Sequence, residues 1–579
     1  MYFRTAVRKK KDKLYESLHL VESYRTREGK VRQRIIINFG PVHRYTKEEV
    51  QKIIEGLRRF FGLEDIGEPL EAQSSRDFGG TYAIFRIWEQ LGWSEVLERY
   101  LRGRRYGFDV VGNLKVLVAN RLLDPMAKLH ILDWVEGVHL PGVRRDEITY
   151  NHLLRAMDFL IENKGCLEPE LASPLLTLFD QELDLVFYDL TSCYFEIDGE
   201  DRSSHSGRST LRNFGYDRDR SGCPQVVLGL VMTREGVPLC HYVFPGQTPD
   251  GSTLEGVVKD IKGRFPIKRC VVVADRGLLT EENLRVLSDA SLDYIVARPL
   301  RRNRISRRVL DALGPEIKKI RRGWDQQGTA LDERECFLDV TLDGRRFVVA
   351  HSEPIAKETK SHRSASLREA TSYLRWRVAR THGQQKGTIP ISGRALSPQE
   401  TLVHLHDYLK HRRLRRYYRI WLDEHGMVRW EPNREIRAWE NLIDGKLLLE
   451  TTNPSLSPRE VVRQYKELQD IERCFRTLKS SLDIRPVYHW VDRRIRAHIF
   501  ICVMALQIQR LIRSRLRKAG IARSPERALE KLSIQRALEV NTEAGVVQGL
   551  VKATGEQLSL FKAMNVPPPQ HKHLQQQTL

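Results

Sequence analysis

Between residues 184 and 297 the chain changes its hydrophobic period, and that change constrains the fold more than any other feature. Three strand-like runs, "DLVFYD", "QVVLGLVMT" and "PLCHYVFPG", follow in close succession. An amphipathic helix ("GSTLEGVVKDIKGRF"), an apolar strand ("RCVVVADRG"), a second helix ("TEENLRVLSDA") and a last strand ("LDYIVAR") come next. The period alternates between 2 and 3.6 in the way strands and helices require. Three strands and then helix, strand, helix, strand predict a mixed α/β layer, with antiparallel hairpins first and parallel crossovers after. Two of the strands end on a carboxylate, Asp189 and Asp275. Ionising a buried acid is costly unless something cationic meets it. In sheets that carry helices, ligands gather at the carboxyl ends of strands. Two acids delivered there can surround one divalent cation, and hard oxygen donors suit Mg²⁺. Either Asp alone reads equally as a turn residue or a helix N-cap.

A third carboxylate comes from the helix "SPREVVRQYKELQDIERCFRTLKSSLDI". Leu468, Ile471, Phe475, Leu478 and Leu482 recur at spacings of 3 and 4, which predicts a core-facing stripe. Tyr465, Glu472 and Lys479 lie seven residues apart and form one row beside that stripe. Arg476 stands next to Glu472 at i+4. Glu467 and Asp470 are rival acids on other faces. An ordinary amphipathic helix with a Glu–Arg pair is the bland reading.

Lys plus Arg exceed Asp plus Glu by 96 to 75, giving a formal charge of +21. That excess favours a polyanionic partner, nucleic acid before membrane. No apolar run approaches the ~20 residues of a membrane span, and "HIFICVMALQI" is about half that. The N-terminus lacks the apolar core of a signal peptide. Eight scattered cysteines without a CxxC pair argue against structural zinc and disulfides, and fit a reducing cytoplasm.

The chain is expected to divide into several domains. Residues 1–45 read as a basic β-hairpin, "LHLVESYRT" and "VRQRIIINFG" around "REGK", with Arg25, Arg27, Arg32 and Arg34 outward. Residues 46–180 are helical, and 181–297 form the first part of the core. Residues 298–456 break the rhythm and predict an inserted basic domain with some β structure. It carries arginine-rich runs at 301–308, 318–322 and 412–419, the last with Arg412, Arg413, Arg415 and Arg416. Trp421 and Trp430 are either core residues or base-stacking ones. The core resumes at 457–520, and 521–579 holds a helical segment and a polar, disorder-prone tail.

The blocks "YDLTSCYFE", "VVADRGLLTEENL" and "YKELQDIERCFRTLK" resemble, in order, the three catalytic segments of a DDE transposase from a bacterial insertion sequence. The similarity is to the insertion-sequence-four superfamily, in the branch with long chains. "FPGQTPDGSTL", the N-terminal hairpin and "YHWVDRRIRAHIFICVMAL" extend it over roughly residues 15 to 510. The resemblance implies a ribonuclease-H-like core with a β-rich insertion. It implies Asp189, Asp275 and Glu472 as catalytic metal ligands, holding two Mg²⁺ ions, with Mn²⁺ able to substitute. The family's Tyr, Arg, Glu, Lys signature falls on Tyr465, Leu468, Glu472 and Lys479. Leu468 departs from it, and Arg463 or Arg476 would replace the missing phosphate contact. The implied partners are double-stranded DNA, at the element's ends and at the target, and a second copy in a synaptic dimer. The implied setting is the bacterial cytoplasm, at the nucleoid, with no membrane. A ribonuclease-H-like nuclease or resolvase, or an inactive DNA-binding relic, would share much of this sequence. The absence of GxSxG, HExxH and P-loop motifs speaks against other hydrolases.

Overall fold

The computed structural model describes the 579 residues apart from 11–12, 27–29, 62–71, 179–184, 198, 200–210, 217–221, 266–270, 275–279, 302, 315–334, 391–396, 543–544 and 575–579. The described residues form two compact units, Met1–Ser74 with Glu539–Val547, and Ser75–Leu538 with Gln548–Leu579.

The first unit is built on three antiparallel strands, β1 (Tyr2–Lys10), β2 (Lys13–Arg25) and β3 (Val31–Pro41), in that spatial order. The expected hairpin is β2–β3. Sequence reading missed β1, whose Lys- and Arg-rich run hides its alternation. Arg25, Arg32 and Arg34 are exposed as expected, and Arg34 pairs with Glu22 on the neighbouring strand at 2.5 Å. Arg27 lies outside the described residues. The helix α1 (Lys47–Phe60) follows, with Thr46 and Glu49 closing a capping box through each other's backbone N–H.

The second unit begins with six helices: α2 (Gly79–Gln90), α3 (Trp93–Leu101), α4 (Val110–Leu123), α5 (Ile131–Gly137), α6 (Tyr150–Glu162) and α7 (Lys164–Leu178). Asp109 and Thr149 cap α4 and α6 by accepting backbone N–H bonds.

An eight-stranded mixed sheet lies at the centre of this unit. Its strands are β4 (Leu185–Tyr194), β5 (Gln225–Thr233), β6 (Pro238–Pro245), β7 (Val271–Ala274), β8 (Asp293–Arg298), β9 (Glu335–Leu342), β10 (Arg345–Ser352) and β13 (Lys446–Thr451). The order across the sheet is β9-β10-β13-β8-β7-β4-β5-β6. β4, β5 and β6 are antiparallel neighbours, whereas β4–β7 and β7–β8 are parallel. This is the anticipated sequence of hairpins and then crossovers, through α8 (Leu254–Arg264) and α9 (Glu281–Asp289). β5 is buried along its whole length, so it reads as an unbroken apolar run instead of an alternating one.

Strand alternation sorts the side chains onto two faces. Val186, Tyr188, Val272 and Val296 pack with Val257, Ile261 and Leu284 of α8 and α9. Phe187, Val273, Ile295 and Ala297 face the other way, into one core shared with α14 (Pro458–Ser480), α15 (Asp492–Lys518) and the six-helix region. The helical region is therefore continuous with the sheet's core. By length and composition α15 is apolar enough to cross a membrane, but 89% of its apolar window is buried here. It is the central core helix, packed on α4 and α6.

The insertion is more helical than its strand signals suggest, and it is joined to the sheet. β9, β10 and β13 extend the core sheet beyond β8. The rest consists of α10 (Arg304–Ala312), the 33-residue α11 (Glu353–Gln385), α12 (Pro398–His411), a two-stranded ribbon of β11 (Tyr418–Leu422) and β12 (Val428–Pro432), and α13 (Arg434–Ile443). α11 escapes sequence reading because its apolar residues form no sustained stripe. It packs a small core of its own, with Leu374 and Val378 against Leu405 and Leu409 of α12.

Two histidines are held neutral. Burial, aided by the Lys164 charge, lowers the pKa of His241 on β6 to about 4. Burial, then Lys128, lowers that of His489 to about 3. An unfolded histidine titrates near 6.5, so below that value the unfolded chain takes up protons that the folded chain refuses. The stability is fully present above about pH 6.5 and is lost as pH falls toward these lowered values. The thermal unfolding midpoint should therefore drop from pH 6.5 to 4, and His489→Phe should flatten that slope in a pH series of melting curves.

Candidate active site

Asp189 sits within β4, opposite Leu230 of β5. It is half-buried and its Oδ1 accepts the Leu190 N–H at 2.7 Å. On the other side of β4 lies the parallel neighbour β7, whose Ala274 pairs with Tyr188. The two parallel strands thus run in register up to the residues before Asp189 and Asp275. Asp275 itself lies outside the described residues. Asp189 shares the strand face of Phe187, and Phe187 and Val273 both point toward α14.

α14 begins at a capping box: Ser457 Oγ accepts the Glu460 N–H, Glu460 returns a bond to the Ser457 N–H, and Pro458 holds the first turn. The helix crosses the sheet, touching β4, β7, β8, β9, β10 and β13. Its expected stripe of Leu468, Ile471, Phe475, Leu478 and Leu482 is buried throughout. That burial is worth ~1.5–3 kcal/mol per side chain and fixes the helix rotation. Leu468 is therefore a core residue, as its periodicity indicates. Tyr465 and Lys479 are half-buried, and Glu472, Arg463 and Arg476 are exposed. The row thus runs along the margin between core and solvent. Among the described residues Glu472 makes no ion pair with Arg476, so the bland Glu–Arg reading does not describe it. Glu467 points elsewhere and pairs with Arg234 at 2.6 Å.

The donors suit a hard divalent cation. Asp189 lies on a strand of the sheet and Glu472 is exposed on α14, the helix packed on that sheet, and carboxylate oxygens are the donors such a cation takes. Among the described residues no three His, Cys, Asp or Glu side chains cluster as a metal site, and Asp275 is not one of those residues.

The insertion leaves the core at Arg298 and returns antiparallel beside the same strand, with Leu448 opposite Arg298 and Thr451 opposite Ile295. A buried ionic network secures that junction. Glu450, 1% exposed, accepts bonds from Arg298 Nε at 2.5 Å, Arg345 Nε at 2.7 Å and the Tyr294 hydroxyl at 3.1 Å. Arg298 and Arg345 each reach on to Glu281, at the start of α9, at 3.2 Å. Asp293 accepts bonds from Thr452 and Asn453, just before α14. Nothing local in the sequence signals this network, because Glu450 lies more than 100 residues from Tyr294, Arg298 and Arg345.

Arg412, Arg413, Arg415 and Arg416 are all exposed at the end of α12. Arg412 lies 4.3 Å over the Tyr408 ring and pairs with Glu369 at 3.0 Å. Arg416 has a structural duty, since it and Arg301 pair with buried Glu440. The run at 318–322 lies outside the described residues. Trp430 packs against Tyr418 in the insertion's core, whereas Trp421 is exposed.

A family model described as the N-terminal domain of IS1634 family transposases matches residues 3–65. A second, described as the transposase DDE domain, matches residues 195–508. That span includes Asp275 and Glu472 and begins six residues after Asp189. No curated protein sequence matches the chain.

Removing one partner from a buried ion pair leaves a charge uncompensated, at a cost of about 3–5 kcal/mol. Glu450→Ala, which strands Arg298 and Arg345, should lower stability by about that amount in a denaturant titration of the full chain. Glu281→Gln, at the exposed end of the network, should change it little.

Proposed function

The chain belongs to the DDE transposases of insertion sequences, and on that premise we propose that it binds the terminal inverted repeats of its element, cleaves their phosphodiester bonds and joins them to target DNA. Transposases with this domain generally use divalent metal ions. Asp189, Asp275 and Glu472 would hold two of them, Mg²⁺ by donor chemistry with Mn²⁺ able to substitute. Such a pair of ions supplies nucleophile activation and stabilisation of the leaving oxygen. The observation that supports the reading is the register of β4 with β7, beneath α14, the helix on which Glu472 lies.

The remaining residues position DNA, since phosphoryl transfer is mostly alignment and charge stabilisation. Lys479 and Tyr465 flank Glu472 in the same helical row, about two turns to either side, and hold the phosphate beside the scissile bond. Arg476 and Arg463 supply the cationic contact that Leu468 cannot. Arg412, Arg413, Arg415 and Arg416 contact the backbone of the DNA end and carry no base information. Two copies would synapse two ends, in the cytoplasm at the nucleoid.

The test is incubation with linear DNA carrying the flanking repeats, with and without Mg²⁺, scoring nicks and joined products. Asp189→Asn, Asp275→Asn and Glu472→Gln should each abolish both products and leave end binding nearly intact. Cleavage without joining would make the protein a nuclease or resolvase. Normal cleavage by one of these variants would remove that residue from the site.

A separate expectation concerns the insertion. Changing Arg412, Arg413 and Arg415 together to Ala should weaken binding of any duplex and reduce the slope of log affinity against log salt by roughly 0.9 per lost contact. The unfolding midpoint should stay put. Arg416→Ala should lower that midpoint, because Glu440 loses a partner. Unchanged DNA affinity in the triple variant would show that the end of α12 does not hold DNA.

A further inference from the structure

Four aromatic side chains stand exposed around the tip of the strand that carries Asp189. On one flank, the segment after α14 is hydrogen-bonded to that tip, with the Val487 N–H donating to the Tyr194 carbonyl at 3.3 Å. Arg485 lies over the Tyr194 ring at 5.2 Å. In this segment Val487 is buried and His489 half-buried, while Tyr488 is 62% and Trp490 67% exposed. Alternate residues thus point inward and outward, and the two largest point outward.

On the other flank, Gln225, which pairs with Tyr194, exchanges backbone bonds with Asn213 and donates from Nε2 to the Tyr216 carbonyl at 3.0 Å. Next to that bridge Phe214 is 45% and Tyr216 82% exposed. Arg212 lies over Phe195 at 5.6 Å, so each flank carries an arginine as well as two aromatics.

We infer that these residues form a stacking collar for nucleobases of the DNA strand that enters the active site. Aromatic faces interleaved with cations suit a nucleic-acid strand, because bases stack on the rings and phosphates meet the cations. A chain of charge +21 with arginine on both flanks favours that occupant over an apolar peptide. Asp189 and Tyr194 are five residues apart on one strand, about 17 Å. At about 3.4 Å per nucleotide of a stacked strand, the collar meets bases within roughly five nucleotides of the scissile phosphate. The inference rests on the proposed DNA cleavage, and it adds a binding surface outside the carboxylates and their cationic row.

The test uses full-length protein carrying Asp189→Asn, which leaves the DNA whole, and 5-iodouracil placed at each of five positions on either side of the scissile phosphate. Photocrosslinks should map to peptides containing Tyr488, Trp490 or Tyr216 at one or two positions. Permanganate reactivity of thymines at those positions separates an unpaired base from a paired one. In the otherwise wild-type chain, Tyr488→Ala with Trp490→Ala should lower cleavage by about tenfold or more, in line with a lost stacking contact. Duplex affinity should fall by less than about threefold, and Trp490→Phe should keep both crosslink and cleavage. Crosslinks unchanged by the double substitution would overturn the collar. So would a double variant that loses self-association without DNA, which would assign the surface to a second copy. If the wild type crosslinks at the collar but never cleaves, the collar stands and the cleavage reading falls.

Discussion

Glu450 is the point on which this architecture turns. A carboxylate 1% exposed is tolerable only because Arg298, Arg345 and Tyr294 all bond to it. Arg298 and Tyr294 come from the strand that precedes the insertion and Arg345 from the insertion's own hairpin, and both arginines reach on to Glu281 in the crossover after Asp275. Glu450 itself lies on the strand that leads back to the Glu472 helix. One buried charge therefore joins the two halves of the catalytic core across an insertion of 159 residues. Without it, the register across the insertion would rest on the β8–β13 ladder and the Asp293 bonds to Thr452 and Asn453.

The consequence for chemistry is geometric. Asp189 and Glu472 come from elements packed on one face, and the packing that sets their relation is apolar: Phe187 and Val273 from the sheet, Ile471 and Phe475 from the helix. The acids can then remain near solvent, where DNA must reach them, while their supports stay dry. The insertion's arginines have the opposite arrangement. Arg413 and Arg415 project from a helix end with little structural duty, whereas Arg301 and Arg416 serve buried Glu440. A basic run in the sequence thus mixes residues that fold the domain with residues available to a polyanion.

Much of the core was legible in the sequence, for reasons that are local. The strand order of the first hairpins and crossovers follows from spacing, and the α14 stripe follows from a 3–4 repeat that Leu468 obeys. The Asp189 strand was readable from its apolar run, but its end was not: the run predicts a stop at Asp189, and the strand continues to Tyr194 through Leu190 and Cys193, which are buried and paired with β5. What stayed hidden was non-local or unpatterned. α11 lacks a sustained apolar stripe, and β1 is masked by its lysines and arginines. The joining of the insertion to the sheet through Glu450 depends on partners far apart in the chain. Tyr488 and Trp490 carry a signal only in retrospect, as alternation beside the buried Val487 and the half-buried His489.

The central claim is that Asp189, Asp275 and Glu472 converge on divalent cations. Diffraction from crystals grown with Mn²⁺, recorded at the manganese absorption edge, tests it most directly. Anomalous density should appear within about 2.0–2.1 Å of Asp189 and Glu472 oxygens, as expected for Mg²⁺-type ligation, with Asp275 completing the shell. That density should vanish in crystals of Asp189→Asn. Manganese bound elsewhere, or retained unchanged by that variant, would contradict it.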